Sequence, residues 1–350
     1  MSQVADQAYL NTRVSVMAAR LFAPDLIERL AHLPLSALAD EFGLVALLDD
    51  QAAPAARRRA VEQSLFQLLL SELLVLTHPM NAGERGLVLD WGRKYALYNL
   101  KTLIRGKLHD LDRREINDNL FELPAHIRLP DKELFGAENV LELLRQLEAG
   151  PQRHIARQAR EVYEQQREPF ALEAAIDQRY FIGLVRRIQV FGAPHQEWLR
   201  RLISAELDRI GLLWLLRFRF TYRLSPSETY YWLVPSMRLL TRERLLHLVD
   251  LDGFEQVLEA LPEPLGRLTA DCRSIAEVQQ RLARYSLDEI RLVLARSPSG
   301  VARALAYLML RETDLLRLFA AIQGRLLGFD DQTIQRALAQ IEPGVHGSGS

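Results

Sequence analysis

One pattern occurs three times in this chain: a long leucine-rich helix, a tight turn and a short second helix. The first copy runs from Asp90 to Leu120. Its Leu97, Leu100, Ile104, Leu108 and Leu111 recur at three- and four-residue steps, which puts them on one helix face. Lys94, Lys101 and Arg105 fall on another. Asp112 stands where an N-cap belongs and Glu115 lies three residues on, the spacing of a capping box. A short helix through Ile116 to Leu120 follows from that. The C-terminal copy aligns without a gap: Gly324 on Gly106, Leu318 on Leu100, Ile322 on Ile104, Phe329 on Leu111, Asp330 on Asp112, Ile334 on Ile116 and Leu338 on Leu120. The middle copy places Leu212 on Leu100, Arg217 on Arg105 and Arg219 on Lys107. One extra residue then precedes Leu224, Glu228 and Leu233, which fall on Leu111, Glu115 and Leu120. The copies lie too far apart for a solenoid of short repeats. They predict three related helical modules, residues 1–121, 122–233 and 234–341, with hairpins at 90–120, 206–233 and 307–338. The small polar residues of 342–350 read as a flexible tail.

The segment from Tyr95 to Leu120 resembles a signature of the C/d subunit family of V-type and A-type rotary ATPases. In that family an Asp-x-x-Asn-Leu…Leu-Arg-x-Lys helix and an acidic helix start are used three times. Tyr9 to Val14 resembles the family's N-terminal helix, Ile176 to Phe181 its Leu-Asp-x-x-Tyr helix, and Glu312 to Leu315 its last acidic helix start. The likeness spans about Tyr9 to Leu338. Gly211 stands where the first copy has Asn99, and Leu38 to Leu48 matches the family poorly, which suggests a divergent bacterial member. The resemblance implies an all-α fold of three modules set about a pseudo-threefold axis as a funnel. It implies a non-catalytic central-stalk subunit, one copy per complex, on the cytoplasmic face of the membrane. Its partners would be the D and F shaft subunits and the ring of c/K/L-type proteolipid subunits. Its task would be to couple the two during ATP-driven ion transport or ATP synthesis. The alternative is a soluble helical scaffold that binds another protein away from any membrane complex.

Composition agrees with a helical protein. Hydrophobic residues make up 49% and charged residues 25% of the chain, an ordinary globular balance. No run shows clean period-two alternation, so the fold is predicted to be all-α. A net charge of −1 gives no global field toward nucleic acid or anionic lipid. The single Cys272 excludes an intramolecular disulfide. The apolar run Ile210 to Leu216 is far shorter than the ~20 residues that span a bilayer, so no direct membrane insertion is expected.

The chemistry of a catalyst is missing from the sequence. No G-x-x-x-x-G-K-[ST] loop, G-x-G-x-x-G turn, H-E-x-x-H helix or zinc-spaced Cys/His set occurs, so no catalytic, cofactor or metal residue is assigned. Glu28 with His32 and Glu243 with His247 share helix faces as surface pairs do. Asp250 to Gly253 imitates the start of a calcium loop, but Leu261 occupies the position that needs Glu. Tyr222, Tyr230, Tyr231 and Trp232 read as core aromatics rather than a base-stacking platform.

The candidate interface is basic. Arg105 with Lys107, Arg217 with Arg219, and Arg325 occupy matching positions of the three copies, although Gln323 replaces Arg105 in the last. Two readings stand side by side. Each cation pairs with an acid of its own module, or together they line a common surface that receives a partner's carboxylates or helix ends.

Overall fold

The computed structural model describes residues 3–49, 53–193 and 195–341, and the expected tail at 342–350 lies outside them. Every regular element among the described residues is helical, so the chain is all-α. In chain order the helices are α1 (Gln3–Ala18), α2 (Pro24–Leu30), α3 (Leu35–Phe42), α4 (Val45–Asp49), α5 (Pro54–Thr77), α6 (Ala82–Gly92) and α7 (Lys94–Leu108). Then come α8 (Arg113–Asn117), α9 (Asp131–Gly136), α10 (Val140–Glu148), α11 (Arg153–Gln166), α12 (Pro169–Gln189) and α13 (His195–Leu216). A short π-helical segment, Arg217–Thr221, leads to α14 (Pro226–Trp232), α15 (Arg242–Val249), α16 (Phe254–Glu259), α17 (Leu265–Thr269), α18 (Ile275–Arg296), α19 (Gly300–Leu326) and α20 (Asp331–Ala339).

The residues group into two compact units. Of the described residues, one unit joins those up to 81 with 276–341, and the other is the middle, 82–275. In the first, α19 packs against α5 and α1. Its positions from Gly300 to Leu315 are nearly all buried, so α19 is a core helix apolar on all sides, with polar exceptions that find partners. Tyr307 donates to Glu72 of α5 at 2.7 Å, and Arg311 reaches the same carboxylate at 3.3 Å. Burial, and then the Glu72 carboxylate, raise the Tyr307 hydroxyl pKa. Among the described residues, α5 alone is long and apolar enough to cross a membrane. Half of that stretch is buried, and it packs Leu69, Leu70, Leu73 and Leu76 into the core.

In the middle unit α12 packs against α11, α13, α6 and α7. The leucine face of the first hairpin, Leu97, Leu100 and Ile104, joins Leu143, Leu144, Leu172 and Ile176 in one cluster. Here two expectations need correction. Lys101, placed by periodicity on a polar face, is buried and donates to Asp177 at 2.9 Å. Burial raises the Asp177 pKa while Lys101 pulls it down. Leu111, placed on the apolar face, is exposed because α7 ends at Leu108 and the chain turns away. Helices α3 and α4 are parted at Gly43, whose φ of 67° glycine adopts without strain.

Candidate functional site

The three hairpins share their turn in detail. Asp110, Arg223 and Gly328, equivalent by the sequence alignment, all have positive φ (51°, 57° and 73°). The amide after each returns to the long helix: Leu111 to the Gly106 carbonyl at 2.9 Å, Phe329 to Gly324 at 2.9 Å, Leu224 to Phe218 at 2.8 Å. This is the left-handed Schellman stop. Asp112, Ser225 and Asp330 then cap α8, α14 and α20 by accepting the amides of Glu115, Glu228 and Thr333. The first two complete the capping box. The extra residue of the middle copy sits in the π-helical turn, which adds one residue without breaking the helix and widens the return bond by one position.

Glycine is required at two of these crossings. A Cβ on Gly106 would lie 2.5 Å from Ile116, and one on Gly324 would lie 2.6 Å from Ile334. The middle copy has Phe218 there, and the facing residue is the smaller Thr229, fully buried.

The matched cations lie just before this turn, and three perform one task. Lys107 donates to the Phe135 and Ala137 carbonyls at the end of α9. Arg219 donates to those of Val249 (2.9 Å) and Leu251 (3.4 Å) at the end of α15. Arg325 donates to those of Leu33 (2.9 Å) and Ala31 (2.6 Å) at the end of α2. A cation at a helix C-terminus satisfies orphan carbonyls and opposes the negative end of the dipole. Each also pairs nearby where an acid is present: Asp252 at 3.2 Å for Arg219, Asp331 at 2.6 Å for Arg325. His32 meets the same Asp331 at 2.9 Å instead of Glu28. Asp331 is thereby held below the usual carboxylate range, first by His32 and then by Arg325.

Arg105 forms a two-pronged pair with Glu173 of α12, both bonds 2.7 Å, which raises its pKa. Its side chain stays 46% exposed. Arg217 opens the π segment half-buried, and its carbonyl accepts from Tyr222. Acid pairing therefore holds for Arg105, while Lys107, Arg219 and Arg325 are engaged chiefly with main-chain carbonyls.

A second equivalence follows from the same alignment, although the sequence alone does not show its role. Asp208 and Asp314 occupy one repeat position, and Ala96 holds it in the first copy. Asp208 accepts the Leu240 amide and Asp314 the Phe22 amide, both at 2.8 Å, two residues before α15 and α2. Burial pushes both carboxyls up to about 6. One constant spacing relates Phe22, Ala31 and Leu33 to Leu240, Val249 and Leu251. The N-terminal α2 thus continues the C-terminal hairpin as α15 continues the middle one. Asn99, the motif asparagine of the first copy, exchanges two hydrogen bonds with the Phe121 main chain, at 2.8 and 2.9 Å, tying α7 to the end of its hairpin.

No group of three His, Cys, Asp or Glu able to hold a metal occurs among the described residues. The family described as ATP synthase (C/AC39) subunit matches residues 10–337. The chain belongs to that family. Similar relatives are the A-type ATP synthase subunits C of Methanocaldococcus jannaschii (23% identical, 97% of this chain and 87% of the relative) and Methanosarcina barkeri (22%, 95% and 92%). That of Methanosarcina mazei is 22% identical over 96% of this chain and 94% of its own. These relatives are archaeal. As a member of the ATP synthase (C/AC39) subunit family, the chain is a non-catalytic subunit of a rotary ATPase, peripheral to a membrane complex.

Proposed function

We propose that this chain is the central-stalk coupler of a V/A-type rotary ATPase, transmitting torque between a D/F shaft and the proteolipid ring on the cytoplasmic face of the membrane. The observation that carries the reading is the family match from residue 10 to 337. The repeated interlock supports it. A coupler must bear load without shearing, and each hairpin is held by a left-handed turn, a capped second helix and a cation on the next helix end. We further propose three modules about a pseudo-threefold axis, forming a funnel. Their boundaries differ from contiguous thirds of the chain. The third would combine the C-terminal hairpin with α2 to α5, as the shared clamp of Arg325 on α2 argues. Arg105, still 46% exposed beside its pair with Glu173, and the half-buried Arg217 would be the partner-facing part of the basic set by their exposure, while Lys107, Arg219 and Arg325 brace the modules.

The test is recovery of the tagged chain from its native membranes at low salt, with mass spectrometry of what accompanies it. A small, very hydrophobic ring protein together with a coiled-coil shaft protein is the expected result. Soluble proteins alone would favour the scaffold reading. Reversing the charge of Arg105 and Arg217 should weaken shaft or ring recovery while the fold, followed by circular dichroism, persists. Unchanged recovery would remove these two from the interface.

A further inference from the structure

In the unit that joins the chain ends, a pocket of about 440 Å³ opens beside α1, α18 and α19. Three arginines line it, Arg291, Arg303 and Arg317, against one acid, Asp314. Two of the three are poorly neutralised. The Arg317 side chain is 12% exposed, its Nε is buried with no acceptor, and its nearest carboxylate, Asp314, is 3.7 Å away. The other oxygen of Asp314 accepts the Phe22 amide, so this carboxylate is shared between a main-chain donor and a long ion pair. Arg303 donates to neutral groups: the Leu294 carbonyl at 3.0 Å, the Asn11 carbonyl at 3.3 Å, Asn11 Oδ1 at 2.9 Å and Ser15 Oγ at 2.8 Å. Burial accordingly lowers the pKa of both guanidiniums. Desolvated cations whose charge is met only by neutral acceptors, as at Arg303, or by one long ion pair, as at Arg317, cost free energy that a bound anion would offset. The repeat sharpens the point. Arg317 stands where the first copy has Asn99, satisfied at both ends by Phe121, and the middle copy has Gly211. The structural task of that position is absent here, and a charged donor faces a cavity instead.

We propose that this pocket binds a phosphate-bearing anion, the oxyanion seated on Arg317 and Arg303 with Arg291 at the mouth. Guanidinium forks match phosphate oxygens in number and geometry. Phe22, Leu287 and Leu294 supply an apolar wall, so a phosphate ester with a small apolar body fits as well as free phosphate. The site is independent of the rotary reading and stands or falls without it.

The test is calorimetric titration of the full chain with inorganic phosphate and, separately, with dioctanoyl phosphatidic acid below its micelle concentration. One saturable site is expected. Arg317→Gln should weaken it about tenfold or more, the scale of one lost charge-assisted contact. Asp314→Asn removes the competing negative charge and should tighten it several-fold, a gain that a damaged fold would not produce. Binding of phosphate alone, or of both ligands, with this pattern identifies a phosphate site. Binding of the lipid phosphate alone, with the same dependence on both variants, assigns the site to a phosphate ester. If neither ligand binds, or if binding ignores both substitutions, the proposal fails.

Discussion

At the scale of single residues, two of the hairpins are decided by what cannot be placed at one position in each. Gly106 and Gly324 let α8 and α20 cross at a distance no side chain allows. Adding a methyl drives it into Ile116 or Ile334, which are themselves buried. Gly106→Ala and Gly324→Ala should each destabilise by about 1–3 kcal/mol, the cost of overpacking. Gly183, in α12 with nothing within 4 Å of its Cβ, is the control. There alanine should stabilise by about 0.5–1 kcal/mol through helix propensity. Urea midpoints at constant slope would separate the two classes. Arg223 is the opposite case, an exposed non-glycine residue holding φ of 57° where the third copy has Gly328. Arg223→Gly should raise stability by about 1 kcal/mol, read as a higher melting temperature. The alignment of Gly324 on Gly106 was legible in the sequence, but the reason for glycine was not. The contact with Ile116 depends on the angle of α8, which the turn sets.

At the scale of elements, the clamp is a helix end held by a cation from a neighbouring helix. Arg325 is 16% exposed and makes two charge-assisted bonds to carbonyls besides its pair with Asp331. Arg325→Gln should cost about 2–3 kcal/mol, since such bonds contribute more than neutral ones. Hydrogen exchange should rise at the end of α2, where the carbonyls lose their partner. A loss spread evenly over the protein would contradict the clamp. Asp208 and Asp314 hold the starts of α15 and α2 in the same economy. Their folded pKa of about 6 lies above the unfolded value near 3.8, so between these values the native state binds more protons than the unfolded one. Stability from these groups is therefore present at low pH and is lost as pH rises through about 6, by at most about 3 kcal/mol each. Asp208→Asn with Asp314→Asn keeps an acceptor for each amide and removes the ionisation. The stability gained over the parent should grow from pH 4 to pH 7, as chemical denaturation at each pH would show. Periodicity located the helices of the hairpins because leucine spacing is a local property. It misplaced Lys101 and Leu111 because a partner across the unit, Asp177, and the end of α7 override the pattern.

At the scale of the whole molecule, the repeats were visible but the way the chain completes the last one was not. Sequence order suggests three successive modules. The bonds join Phe22 to Asp314, Asn11 to Arg303 and Ala31 to Arg325, so the last hairpin is finished by residues from the first third of the chain. No local signal in a sequence marks a pairing of its two ends. The consequence concerns folding. A fragment of residues 82–275 contains the α12-centred core with its own clamps at Lys107 and Arg219, and it should fold alone with cooperative unfolding. A fragment of residues 276–341 should not, because α19 is apolar on nearly every side and would expose Val301, Leu305 and Leu308 without α1 and α5. Mixing it with residues 1–81 should restore helicity and protection from protease, and Arg325→Gln in the C-terminal fragment should weaken that complementation. If residues 276–341 fold without the N-terminal piece, the last hairpin is a module in its own right. The contacts to α1, α2 and α5 would then be an addition to it and not its completion.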